Sequence, residues 1–123
     1  AVEAEATIDK LRDLLEHYSD NAEIALAYAK GLVNLSIDQD AVEAEATIDK
    51  LRTLAQEHLG DAYFALIFSY GLVNLLFKQP AEESKDTLNE LIKLCQQYPS
   101  NVELEDVYFK VLKALSDEQN EEG

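Results

Sequence analysis

The chain has 123 residues, 47% of them apolar, and is therefore long enough to bury the core of one ordinary domain. Its 25 acidic residues against 10 basic ones give a formal net charge of −15, a field that repels nucleic-acid phosphates and anionic lipid head groups. The single cysteine excludes an internal disulfide, and with 2 histidines it makes a poor metal set. We therefore expect no nucleic-acid partner, no metal and no other cofactor.

The chain repeats itself. The twelve letters AVEAEATIDKLR occupy residues 1–12 and again 41–52, and GLVNL also occurs twice at the same shift. A third copy keeps the pattern with changed letters, TLNELIKL in place of TIDKLRDL and TIDKLRTL. A period of this size is typical of a helical solenoid. We predict one repeat domain over residues 1–120, with copies at 1–40, 41–80 and 81–120 and a frayed acidic tail at 121–123.

The first segment of each copy has the spacing of an amphipathic helix. In the first copy, Thr7, Ile8, Leu11, Leu14 and Leu15 fall on one stripe, and charged residues occupy the opposite side. The third copy repeats this stripe with other letters. The predicted helices lie near residues 3–17, 42–57 and 81–97.

The second segment of each copy is apolar nearly all round, which is typical of a helix between neighbours. Residues 62–77, AYFALIFSYGLVNLLF, are the most apolar but are short for a bilayer span. Their repeat counterpart at 22–37 carries Glu23 and Lys30, so we predict a buried helix and no membrane span. No segment alternates with period two, and the predicted fold class is therefore all-α.

Helix-capping residues separate these segments. A side-chain oxygen before a helix accepts hydrogen bonds from the free amides of its first turn. Pro80 is predicted to occupy the first turn of the fifth helix, where its missing N–H costs nothing. The predicted N-caps are Asp20 or Asn21, Asp61, and Ser100 or Asn101.

Two glycines, Gly31 and Gly71, fall in mid-helix, where glycine costs about 1 kcal/mol relative to alanine. We predict that each allows two helix backbones to approach closely. Cys95 shares an apolar column with Leu15 and Ala55, which favours an inert core thiol over a nucleophile. No base, nucleophile or carboxylate pair forms a recognisable catalytic set, so an enzyme is not expected.

Three helical hairpins in tandem resemble the tetratricopeptide (TPR) repeat family. In a motif that starts at Ala22, Tyr28 and Ala29 stand at the family's leucine-glycine pair, and Gly31 stands at the small residue after it. Pro99 stands at the closing proline of the next motif, although the period of forty exceeds the family's 34 and no tryptophan occurs. The resemblance implies an α-solenoid of three helix-turn-helix repeats, wound as a right-handed superhelix.

The resemblance also implies a concave groove lined by the second helix of each copy. Tyrosines are good anchors because they bury a large area, and asparagines hold a peptide backbone by two-way hydrogen bonding. Packing between repeats is the alternative role for the same tyrosines. The implied groove residues are Leu26, Lys30, Asn34, Tyr63, Leu66, Tyr70, Asn74 and Lys110.

These features predict a non-enzymatic scaffold that binds a peptide or amphipathic helix of a partner protein. Too few basic residues are present for the family's clamp on acidic carboxylate tails, so basic flanks suit the acidic chain better. One alternative is self-association through the terminal repeats, because the first helix shows no specialised capping face. A second alternative is an excised or engineered array without a ligand of its own.

Overall fold

The computed structural model describes the backbone of residues 2–122 and the side chains of residues 5–118. The described chain is all-α, with no strand, and its first five helices begin and end within about one residue of the predicted segments. The side chains of the predicted frayed tail, residues 121–123, lie outside the described part of the chain, so the frayed tail stays a prediction. The helices are α1 (Val2–His17), α2 (Ala22–Asp38), α3 (Ala41–Glu57), α4 (Ala62–Leu76), α5 (Ala81–Gln97) and α6 (Val102–Glu122).

Side chains cap the N-termini of four of these helices. Asn21, Asp61 and Asn101 each accept a hydrogen bond from a backbone amide of the first turn, at 2.9 to 3.1 Å. All three are among the predicted N-caps. Asp40, which was not predicted, caps α3 in the same way, with 2.8 Å between its Oδ1 and the amide of Glu43. The caps satisfy amides that have no partner within the helix.

At the start of α5, the place of Pro80 differs from the prediction. This helix begins at Ala81, so Pro80 lies one residue before the first turn, in an extended conformation with φ −60° and ψ 157°. The proline ring fixes φ but leaves ψ free, and the position before the helix accepts it as readily as the first turn does. Pro80 offers no side-chain cap, but Glu82 and Glu83 place negative charge at the positive end of the helix dipole.

Consecutive hairpins stack, as expected for a helical repeat. The inner helices α2, α4 and α6 pack on one another in a row, while α3 packs against both α2 and α4 and α5 against both α4 and α6. Within the described residues, α1 packs on α2 alone, and the backbones of the outer helices α1, α3 and α5 do not meet. The inner row is therefore the more closely spaced, and its free side is the concave face.

The two mid-helix glycines receive side chains from the preceding outer helix. A Cβ added at Gly71 would lie 2.7 Å from Ile48 Cδ1 and 2.8 Å from Leu51 Cδ1. At Gly31 the nearest atom would be Ile8 Cγ1, at 3.1 Å. The structure therefore differs from the predicted approach of two backbones: an isoleucine side chain of the preceding outer helix occupies the space beside each glycine.

A hydrogen bond to a glutamine recurs at both junctions between repeats. The hydroxyl of Thr47 donates to Gln39 Oε1 at 2.6 Å, and forty residues later Thr87 donates to Gln79 Oε1 at 2.5 Å. Both threonines are buried, so the bond satisfies a hydroxyl that would otherwise be costly to bury. Among the described helices, none combines the length and apolar character needed to cross a membrane.

Candidate inner groove

A groove of about 680 Å³ lies on the inner face of the stack, between α2, α4 and α6. Most of its lining is apolar: Val33, Ile37, Val73, Phe77, Val102, Val107 and Val111. The other lining side chains carry polar or charged groups: Tyr70, Asn74, Glu103, Asp106 and Lys110. A mostly apolar concavity with a few polar groups is the usual composition of a binding site.

Helical spacing directs the apolar side chains of α2 and α4 into the groove. Val33 and Ile37 are four residues apart near the end of α2, and Val73 and Phe77 repeat this arrangement at the end of α4. Tyr70 lies one turn before Val73 on the same side. The side chains of Ile37, Tyr70 and Phe77 are 44% to 54% exposed, so the groove presents large apolar groups to solvent. Exposed apolar groups that are contiguous mark interaction sites.

Asn74 ties α4 to α2 at the edge of the groove. Its Nδ2 donates to Ser36 Oγ at 3.1 Å and lies 3.4 Å from the carbonyl oxygen of Val33. The hydroxyl of Ser36 in turn donates to that carbonyl at 2.6 Å. The amide nitrogen of Asn74 therefore helps to hold neighbouring repeats together, a packing role that was predicted as the alternative for the tyrosines.

Lys78 fixes the C-terminal end of α2, which forms one end of the groove. Its Nζ donates to the carbonyl oxygens of Ile37 at 2.8 Å and Gln39 at 2.7 Å. The last carbonyls of a helix have no partner within it and carry partial negative charge, so a lysine there is favourable. By holding the last turn of α2, Lys78 also positions the exposed side chain of Ile37.

The charged rim of the groove lies on α6. Lys110 Nζ lies 2.9 Å from Asp106 Oδ2, one helical turn away, and the hydrogen bond that Lys110 donates to Asp106 raises the pKa of Lys110 above its ordinary value. Glu103 lies one turn before Asp106, on the same side. Because Asp106 and Lys110 neutralise each other, Glu103 leaves the rim with a net negative charge.

The structure brings three of the eight predicted groove residues into this groove: Tyr70, Asn74 and Lys110. The other five do not line it. Leu66 is buried in the core, Leu26 is half-buried, and the exposed side chains of Lys30, Asn34 and Tyr63 lie elsewhere on the surface. The groove follows residues 33–37, 70–77 and 102–111, and the prediction had assumed equivalent positions on the three helices. The described α6 therefore does not repeat the placement of α2 and α4 along the groove.

Five apolar lining residues were not predicted from the sequence: Ile37, Phe77, Val102, Val107 and Val111. Ile37 and Phe77 are forty residues apart, at the ends of equivalent segments. A comparison of large apolar residues at that shift would have indicated both. Val102 and Val107 have no such signal, because the third copy shares few letters with the other two.

Outside the groove, the described side chains include no group of three or more His, Cys, Asp or Glu residues placed to hold a metal ion. Cys95 is half-buried, with its Sγ 3.7 Å from the carbonyl oxygen of Leu104. Burial raises the pKa of the Cys95 thiol, which disfavours the reactive thiolate at neutral pH. His58 stacks on the ring of Phe64, with 4.1 Å between ring centroids, and so contributes to packing.

Comparison of the chain with protein-family models, with curated proteins and with solved structures finds no match. The description of the fold therefore rests on the structure. It is an all-α helical repeat in which consecutive helices pack against one another. The inner groove combines a volume of about 680 Å³ with exposed apolar side chains.

Proposed function

We propose that the chain is a TPR-like, non-enzymatic interaction scaffold whose inner groove binds an amphipathic helix of a partner protein. The observation that carries the proposal is the row of exposed side chains Ile37, Tyr70 and Phe77 around one apolar groove. An amphipathic helix presents apolar residues at i, i+3, i+4 and i+7 and buries them in such a groove. A right-handed superhelix, which the TPR resemblance implies, belongs to this proposal.

The charges favour a partner helix with basic flanks. The chain carries a formal net charge of −15, and the groove rim contributes Glu103 and Asp106 against Lys110. A basic peptide is steered toward such a surface, whereas an acidic peptide is repelled. Long-range steering of this kind weakens as salt screens the charges, with a Debye length of about 8 Å at physiological ionic strength.

Tyr70 is the side chain best placed to anchor the partner. It lines the groove together with the apolar side chains of α4 and the charged side chains of α6, so that its ring can pack on an apolar side chain of the partner while its hydroxyl meets a polar flank. Tyrosines at the centre of an interface are often among the few residues that dominate affinity. Tyr63, on the same helix and 65% exposed, does not line the groove and is a natural control.

The test is a titration of the intact chain with a labelled helical peptide that has leucines at i, i+3, i+4 and i+7 and lysines at both ends. We expect saturable binding that Tyr70→Ala weakens by about tenfold or more and Tyr63→Ala leaves unchanged. Both tyrosines are exposed, so both variants should keep the circular dichroism spectrum and melting temperature of the parent chain.

Two results would overturn the groove assignment. One is an equal effect of Tyr70→Ala and Tyr63→Ala, which would place the peptide elsewhere on the surface. The other is the absence of saturable binding at low salt by peptides whose helicity has been verified. Equal affinity for a peptide with glutamates in place of the terminal lysines would contradict the basic flanks specifically.

A further inference from the structure

Asn74 lies between two of the large exposed side chains of the inner groove. Tyr70 stands four residues before it on α4, Phe77 stands three residues after it at the end of this helix, and all three line the groove. Residues at these spacings share one side of a helix. A partner helix that packs on both Tyr70 and Phe77 therefore passes over Asn74 and excludes water from its side chain.

The protein itself uses only the nitrogen of the Asn74 amide. Nδ2 donates to Ser36 Oγ at 3.1 Å and lies 3.4 Å from the carbonyl oxygen of Val33, so α2 fixes which way the amide is turned. Oδ1 accepts no hydrogen bond from the described residues. Every buried side-chain nitrogen or oxygen of these residues has a partner, so Oδ1 is open to solvent. Asn74 thus offers the groove a fixed acceptor, where two-way hydrogen bonding had been expected.

Stacking of the repeats does not by itself require this polar pair. At the next junction, between α4 and α6, the positions equivalent to Ser36 and Asn74 are occupied by Leu76 and Ala114. There α6 packs on α4 with Leu76 buried and Ala114 half-buried. An apolar pair therefore serves one junction, whereas the polar pair at the other places an acceptor among the apolar side chains of the groove.

A partner with a purely apolar stripe would leave this acceptor without a hydrogen bond. Covering Oδ1 removes its bonds with water, and a buried acceptor without a donor disfavours the complex. Val33 and Val73 also line the groove, so a charged donor would itself be costly to bury there. An amide or a hydroxyl carries no such charge. The complement of Asn74 is therefore an uncharged side chain that donates a hydrogen bond.

We propose that Asn74 selects partner helices that carry one uncharged hydrogen-bond donor, such as glutamine, within their apolar stripe. This selection rests on the helix-binding function proposed above for the groove. When a partner helix runs along α4 with apolar residues at i and i+7 on Tyr70 and Phe77, the residue opposite Asn74 is i+4 in a parallel helix and i+3 in an antiparallel one. A single polar residue in an apolar stripe fixes the register of paired helices, so the same bond sets the position of the partner along the groove.

The test uses two pairs of labelled helical peptides with lysines at both ends and leucines at the other stripe positions. One pair carries glutamine or methionine at i+4, and the other pair carries them at i+3. Methionine has nearly the length of glutamine but donates no hydrogen bond. We expect the glutamine peptide of one pair to bind the intact chain about tenfold more tightly than its methionine counterpart.

Substitution of Asn74 should abolish this preference. Asn74→Leu removes the acceptor, while the hydroxyl of Ser36 keeps its bond to the carbonyl of Val33. Asn74→Ala is the second variant should the larger side chain disturb the stack. Asn34, the equivalent residue on α2, is exposed and does not line the groove, so Asn34→Leu is the matched control and should keep the preference. Damage to the stack weakens both peptides of a pair alike, so the ratio of their affinities reports the hydrogen bond.

Three results would contradict the role of Asn74. Equal affinities within both pairs, with Tyr70→Ala still weakening every peptide, would overturn the selection and leave the helix-binding groove in place. The absence of saturable binding by any of the four peptides, once circular dichroism has verified their helicity, would overturn the selection and the groove together. A glutamine preference that persists in folded Asn74→Leu and Asn74→Ala would place the acceptor elsewhere.

Discussion

The first and second repeats start with the same letters, but the same side chains lie at different depths. Leu54 in the second repeat is covered from both sides, whereas Leu14 in the first is covered from one. In a stacked array each repeat contacts only its neighbours, so the position of a repeat decides how much its residues contribute to stability. Identical residues in the two repeats therefore need not contribute equally to stability. Substituting both members of an equivalent pair measures the difference in their contributions.

The largest difference is expected for the leucine pair itself. Leu54→Ala removes a buried side chain and leaves a cavity, at a cost of about 2–4 kcal/mol in the free energy of unfolding. Leu14→Ala removes a half-exposed side chain and should cost less than about 1 kcal/mol. Urea denaturation of the two variants beside the parent chain measures both values. Equal losses would show that α1 is covered in solution to the same depth as α3.

The glycine pair should show a smaller contrast. In Gly71→Ala the new methyl group would lie 2.7 Å from Ile48 Cδ1, and both Ile48 and Leu51 are enclosed by core side chains. We expect overpacking of about 1–3 kcal/mol, reduced by the gain of about 1 kcal/mol in helix propensity.

In Gly31→Ala the contact with Ile8 is longer, at 3.1 Å, and α1 has room to yield because it packs on one side only. The propensity gain should then offset the crowding, and the free energy of unfolding should change little. Thermal melting of the two variants provides the comparison. A loss in Gly31→Ala as large as that in Gly71→Ala would mean that α1 is held as rigidly as α3.

The helices and most of their caps could be predicted because the signals are local. Stripes at helical spacing, and Asn21, Asp61 and Asn101 at the helix starts, lie within a few residues of what they specify. Asp40 was overlooked although it offered the same signal. Pro80 was misplaced by one residue because a proline suits both the N-cap and the first turn.

The groove could be predicted only in part because its geometry depends on how distant helices meet. The α4 segment is apolar nearly all round, so its pattern does not show which leucine faces the core, and Leu66 proved to be buried. The contacts of Asn74 with Ser36 and of Lys78 with Ile37 join residues about forty apart. An asparagine or a lysine can bind many partners, so its residue type alone does not predict which one it contacts. The third copy diverges most in sequence, and there the assumption of equivalent positions failed.

The smallest contrast concerns the charged contact between outer helices. Arg52 on α3 makes two hydrogen bonds to Glu90 on α5, at 2.6 and 2.7 Å, and its guanidinium lies 5.7 Å from the ring centroid of Phe68. In the first repeat the equivalent pair is Arg12 and Lys50, two like charges; Arg12 contacts Asp9 of its own helix at 3.4 Å, as Arg52 also contacts Asp49. An ion pair thus bridges α3 and α5, whereas the equivalent residues of α1 and α3 form none.

Glu90→Gln should lower the free energy of unfolding by about 0.5–1 kcal/mol, since the pair is bidentate but about a third exposed. Lys50→Gln should leave it nearly unchanged, because Lys50 and Arg12 carry like charges and form no ion pair that the substitution could remove. Urea denaturation at low and at high salt separates the two, and the loss in Glu90→Gln should shrink as salt screens the pair. A loss that does not depend on salt would mean that Glu90 acts through packing of its side chain, and the two junctions would then differ in shape more than in charge.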